Sequence, residues 1–266
     1  MVEGMRVHYR RAGSGPALLL VHGLVGSAGN WNQNIDFLSK SATVYAVDLF
    51  NMGESERVPG LDASLEATAD RLADCMDALG LADADVAGHS HGGAIVMMLA
   101  ARHPERVRRL VLFAPANPFC DLGKQLISFY RTPVGGWFAR RIPSLPRKLH
   151  ATALSRMYGD PNRVAEGALE GYTNWLDATM VEHVLRIVRG WGEDMSSLLR
   201  VLDAVAVIPT LLIWGDRDRA VGLASAQRLR ELLPEARLMV LPGVGHLPFA
   251  EQPEICNPAV RDWLRS

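Results

Sequence analysis

An α/β fold, with a mostly parallel sheet flanked by helices and broken by one helical insertion, is what this 266-residue sequence predicts. Three observations predict it. Short β-branched or leucine-rich runs recur along the chain; helical patterns alternate with them; and from about Asn117 to Val205 the strand pattern disappears and then resumes.

The strand runs are "MRVHYR", "ALLLVHG", "ATVYAVDL", "ADVAGHS", "VRRLVLFAP", "PTLLIWGD" and "ARLMVLPG", most of them bounded by Gly, Pro or Asp. Several lack the two-residue alternation of a half-exposed strand, as expected of strands covered on both faces. In "SLEATADRLADCMDALG", Leu65, Ala69, Leu72, Met76 and Leu79 recur at steps of four and three, with Ser64 suited to the N-cap and Gly80 to the C-terminal end. The run "GGAIVMMLAAR" is apolar nearly all round and stops before Pro104, the pattern of a helix buried against a sheet. The stretch between Asn117 and Val205 carries many aromatic residues and arginines, with turns at Pro133, Gly135, Pro143, Pro146 and Pro161. It is expected to be a helical cap at 117–205, inserted into one core built from 1–116 and 206–266.

Chemistry concentrates at strand ends. "DVAGHSHGGAIVMMLAARHP" sets Ser90 between Gly88 and Gly92, after a strand run and before a buried helix. A G-x-S-x-G string is common by chance, but with these flanks it reads as a nucleophile raised on a tight strand-to-helix turn. A serine hydroxyl needs a base within hydrogen-bond reach, itself oriented by a third group. Further along, "LLIWGDRDRAVG" ends a strand and offers Asp216 and Asp218; "MVLPGVGHLPFAEQPE" ends another and offers His246. Asp121, after the preceding strand, is a more distant candidate acid. Active sites of open α/β sheets gather at such strand ends.

"HGLVGS" at 22–27, "GHSHGG" at 88–93, "GDRD" at 215–218 and "GHLPFAEQPE" at 245–254 together resemble the α/β-hydrolase superfamily, in its capped, esterase-like branch. The resemblance spans essentially the whole core, and the order Ser, Asp, His is the one this superfamily uses. It implies Ser90 as nucleophile, His246 as general base and then acid, and Asp218, two spacers after the strand-end glycine, as the group that orients the imidazole. It implies an oxyanion hole from the backbone N–H groups of Leu24 and His91. His22, His89 and His91 are read as bracing or pocket-lining side chains, and Trp31 as packing beneath the oxyanion loop.

A serine nucleophile separates the chain from the epoxide hydrolases and haloalkane dehalogenases, which use a carboxylate. Carboxylesterase action on short to medium acyl chains is the first reading. A carbon–carbon hydrolase of the meta-cleavage type is the second: there the residue after the histidine is typically tryptophan, whereas here it is Leu247, although cap arginines such as Arg131, Arg140 and Arg141 could still meet a substrate carboxylate. A triad-bearing small-molecule receptor is the third.

No dinucleotide fingerprint, phosphate loop or metalloprotease motif occurs, so no cofactor or metal is expected. With 28 basic and 29 acidic residues interspersed and a formal charge of −1, neither nucleic acid nor a membrane is an expected partner, and no lipase-like interfacial surface is anticipated; a small ester is. Cys75, Cys120 and Cys256 are widely spaced and match no metal or disulfide pattern, and "MVEGMRVHYRRAG" lacks the apolar core of a signal peptide, both suggesting a cytoplasmic setting.

Overall fold

The computed structural model describes residues 1–120 and 124–266. Seven strands, β1 (Tyr9–Ala12), β2 (Ala17–Val21), β3 (Thr43–Val47), β4 (Ala84–His89), β5 (Val107–Phe113), β6 (Thr210–Gly215) and β7 (Arg237–Leu241), form one sheet in the order β1-β3-β2-β4-β5-β6-β7. Within this sheet, among the described residues, β1–β3 is antiparallel and the other pairings are parallel.

The continuous apolar runs have a simple cause. Leu19 and Val21 of β2, Val86 of β4 and Leu110 and Leu112 of β5 enter one buried cluster; Leu18 and Leu20, Ala87, and Val111 and Phe113 enter another. Successive residues of a strand point to opposite faces, so a strand with a core on each side has no polar position to give. The first cluster is shared with α2 (Leu65–Ala78), α3 (His91–Arg102) and α8 (Ala178–Val205), the second with α1 (Asn32–Leu38) and α11 (Pro253–Arg265). Ser64 caps α2 as expected, accepting a hydrogen bond from the Ala67 N–H, and Gly80 takes φ +70° just beyond its end. One strand is displaced from expectation: β1 begins at Tyr9 rather than near Met5, because Arg6 and His8 bond instead to Glu56, Ser55 and Asp48 of the 48–56 loop.

Between β5 and β6 the described residues form helices only: α4 (Lys124–Arg131), α5 (Pro133–Ala139), α6 (Arg147–Ser155), α7 (Glu170–Thr173), α8 and short 3₁₀ turns. The latter half of α8 joins the main core through Met195, Leu198, Leu202 and Val205. The remaining helices, α9 (Leu223–Leu232) and α10 (Pro248–Glu251), follow β6 and β7. The even surface expected from the whole-chain composition fails in one place. Residues 124–156 carry seven Lys and Arg and no Asp or Glu, together with several exposed large apolar side chains.

Candidate active site

Ser90 sits where β4 turns into α3, with φ +51° and ψ −120°, a backbone conformation that costs an L-residue roughly 1–3 kcal/mol. Its neighbours explain how the turn persists. The Ser90 N–H donates to the Phe113 carbonyl at 3.0 Å, and the Ser90 carbonyl accepts from Ala116 at 2.8 Å. A Cβ at Gly92 would overlap the His22 carbonyl, and one at Gly88 would lie 2.7 Å from both Gly92 and Val96, so the turn closes only with glycine at these two positions.

His246 and Asp218 come together from loops after β7 and β6. His246 Nδ1 lies 2.8 Å from Asp218 Oδ2, and Asp218 Oδ1 accepts the N–H groups of Ala220 and Val221 at 2.7 and 2.8 Å. Both side chains are almost fully buried. Asp216 is exposed and accepts from the Gly243 N–H, away from the imidazole. Asp121 lies outside the described residues.

Ser90 and His246 line one cavity of about 490 Å³. Leu24 lines it as well, and among the described residues neither the Leu24 nor the His91 N–H meets an acceptor. Two unengaged donors beside a serine suit an oxyanion. No Lys, Arg, Asp or Glu lines the cavity among the described residues; its walls are aliphatic and aromatic, with Ile127, Leu154, Val184 and Trp191 among them.

His22 and His89 act as braces, whereas the buried His91 ring makes no side-chain hydrogen bond and does not line the cavity among the described residues. His22 donates from Nδ1 to the Gly23 carbonyl at 2.7 Å and accepts the Leu49 N–H at Nε2, which fixes the loop bearing Leu24. His89 Nε2 lies 2.9 Å from the His246 carbonyl, and the two rings are 4.7 Å apart. Burial lowers the pKa of His22, holds that of His89 well below the ordinary imidazole range, and pushes His91 down to about 3 and His183 to about 4. Four histidines that stay neutral when folded but accept protons when unfolded stabilise the fold above their unfolded pKa of about 6.5 and lose that contribution as pH falls below it. Asp194, its carboxyl raised to about 6 by burial, takes up a proton in the folded state over the same range and offsets one of them. Thermal melts should therefore show a marked fall in Tm from pH 7 to pH 5; a Tm that is level or higher at pH 5 would contradict the neutral assignment.

Trp31 is buried against Phe113 and Phe249, as its position in the sequence suggests. Of the aromatic residues between Phe119 and Trp175, Tyr130 and Tyr172 line the cavity, and Trp191 of α8 adds a wall that the sequence did not single out. Arg131, Arg140 and Arg141 are exposed and none lines the cavity.

Glu251 was also missed. Buried in α10, its carboxylate accepts three backbone N–H groups, from Gly159 at 3.0 Å, Asp160 at 2.8 Å and Gly245 at 2.8 Å, while the His246 N–H donates to the Met157 carbonyl at 2.7 Å. It thus ties the segment after α6 to the loop carrying His246. Its only sequence signal is its place in "GHLPFAEQPE". Glu251→Ala would leave one buried and two half-buried donors without their acceptor and should cost about 2 kcal/mol or more, read as a lower denaturation midpoint with kcat falling in step; Glu251→Gln should recover part of both.

A family model described as the alpha/beta hydrolase fold matches residues 16–253. The chain is 28% identical over 272 residues to a 2-hydroxymuconate semialdehyde hydrolase of Pseudomonas, covering 99% of this chain and 92% of that protein. It is 28% identical over 261 residues to an sn-1-specific diacylglycerol lipase of Mus musculus, covering 94% and 81%. The solved structure of a thermophilic esterase from Thermogutta terrifontis superposes with a TM-score of 0.81 at 26% identity, covering 98% and 93% of the two chains. With the sheet order, the turn at Ser90 and a match spanning most of the sequence, this chain belongs to the alpha/beta hydrolase fold family.

Proposed function

We propose that this hydrolase is a serine carboxylesterase acting on neutral esters with short to medium apolar acyl chains, and that residues 117–205 serve as its cap. The observation that carries the reading is the company Ser90 keeps: a cavity that also holds His246, hydrogen-bonded to buried Asp218, with no Lys, Arg, Asp or Glu among its described lining residues.

In this reading Ser90 Oγ attacks the ester carbonyl while His246 Nε2 takes its proton, and the developing oxyanion is held by the N–H groups of Leu24 and His91, each contributing about 3 to 4 kcal/mol. His246 then protonates the departing alcohol oxygen, leaving an acyl group on Ser90. Water, deprotonated by His246, releases the acid. Asp218 fixes the imidazole tautomer and stabilises the imidazolium. The volume lies within the range of small-ligand pockets.

The similarity to a semialdehyde hydrolase keeps carbon–carbon cleavage as the second reading. A ring-fission acid carries a carboxylate that would need a cationic partner once desolvated, and the described lining offers no Lys or Arg, its titratable nitrogens being those of His89, His150 and His246. Accordingly kcat/KM for p-nitrophenyl butyrate should exceed that for a phenyl-substituted ring-fission dienoate by at least about 100-fold, and Arg131→Gln, Arg140→Gln and Arg141→Gln should leave both values within about twofold. A preference for the dienoate, lost on neutralising one of these arginines, would install the second reading. A single burst without further turnover on any activated ester would favour a receptor.

A further inference from the structure

We propose that the outer face of helices α4 to α6 docks on an anionic phospholipid surface. The chain has a formal charge of −1, yet residues 124–156 carry +7 with no acidic residue, leaving −8 for the rest. The same 33 residues hold half of the large apolar side chains that stand exposed among the described residues, six of twelve: Phe129, Val134, Trp137, Phe138, Leu145 and Leu149. Val134, Trp137, Phe138 and Leu149 keep 59, 48, 52 and 53% of their surface in solvent. Segregation of cations and aromatics onto one surface segment, in a chain otherwise mixed, marks a binding face rather than ordinary scatter.

The apolar part is contiguous. The Trp137 and Phe138 rings lie 4.9 Å apart, Phe129 and Phe138 6.0 Å, and the Arg141 guanidinium sits 3.5 Å from the centre of the Trp137 ring. Arg140 and Arg147 are paired with Glu182 and Glu170 from outside the segment, whereas Arg131, Arg141, Lys148 and Arg156 are exposed and pair with no acidic group among the described residues. Aromatic rings that enter the acyl boundary beside guanidinium groups that stay at the headgroups are the two components of interfacial binding. An acidic protein surface would match the charge alone. Lipid matches both components, and the inner faces of these helices present Ile127, Tyr130, Ala139 and Leu154 to a cavity lined by no Lys, Arg, Asp or Glu among the described residues, so one side faces hydrocarbon-like substrate and the other a hydrocarbon-bearing surface. No helix among the described residues is long and apolar enough to cross a membrane, so the association is peripheral. This revises the expectation that a membrane is no partner: whole-chain charge counting averages the segment away.

The test is flotation of the intact protein with vesicles of equimolar phosphatidylglycerol and phosphatidylcholine, and with vesicles of phosphatidylcholine alone. Its readout does not depend on turnover, so it stands apart from the esterase reading. The wild type should float with the anionic vesicles and not the neutral ones, and should detach as salt is raised. Arg131→Gln and Arg141→Gln should each weaken the partition coefficient about fivefold, and the double variant Trp137→Ala with Phe138→Ala roughly tenfold or more. None of these four side chains lines the cavity, so turnover of a soluble p-nitrophenyl ester should be unchanged and reports that each variant is folded. Absence of wild-type flotation, equal binding to neutral vesicles, or variants that bind as well as the wild type would overturn the proposal. So would concentration-dependent self-association abolished by the same substitutions, which would make a second copy of this chain the occupant.

Discussion

Replacing Ser90 with alanine should lower kcat on p-nitrophenyl butyrate by about 10⁶ while leaving the fold intact. The size follows from the role proposed for Ser90. Without the hydroxyl there is no acyl-enzyme, and attack falls to unpositioned water; what survives is binding and the two oxyanion donors, worth about 10³ to 10⁴ over water. Stability should change little, because the Ser90 side chain makes no N-capping hydrogen bond and the turn is fixed by its backbone bonds to Phe113 and Ala116 and by the close approach of Gly92 to His22. Alanine must still adopt φ +51°, which the same contacts impose. A drop of less than tenfold would mean that the chemistry runs elsewhere.

Asp218→Asn carries the second largest expectation, a loss in kcat of about 10⁴. The carboxylate spends one oxygen on the Ala220 and Val221 N–H groups and the other on His246 Nδ1. Asparagine can keep its carbonyl on the backbone pair, but it then turns an NH₂ group toward Nδ1, which favours the proton on Nε2 and so blocks the nitrogen that must receive the serine proton. It also removes the negative charge that stabilises the imidazolium. Asp216→Asn, at an exposed side chain bound to Gly243, should cost less than about threefold. Steady-state kinetics on the two variants decide the matter, and the reverse ranking would move the role to Asp216.

What could be read from the sequence follows the range of the interactions. Strands β2 to β6 were legible because each feeds two cores and so carries apolar residues without two-residue alternation, whereas β1, mostly exposed, contributes to neither core. The placement of Ser90, Asp218 and His246, proposed above as the catalytic set, was legible because each follows a strand end within a short motif. The oxyanion role proposed for Leu24 and His91 runs through backbone N–H groups, which no side chain announces, and only the resemblance named them. Glu251 was not legible as a clamp, since Gly159 and Asp160 are about ninety positions away and their N–H groups carry no sequence signature. The start of β1 was misplaced for a related reason: Arg6 and His8 find partners in the 48–56 loop rather than in the sheet. The aromatic residues of the helical segment divide between cavity and surface by rotation about short helices, with Tyr130 inward and Phe129 outward from adjacent positions. Composition fixes neither.

Covalent catalysis through Ser90 can be read out by reacting the intact protein with a fluorophosphonate probe and locating the adduct by peptide mass spectrometry. One equivalent of label is expected, on Ser90, with activity lost in proportion and labelling abolished in Ser90→Ala. Stoichiometric label on any other residue, or full activity in protein labelled at Ser90, would contradict it.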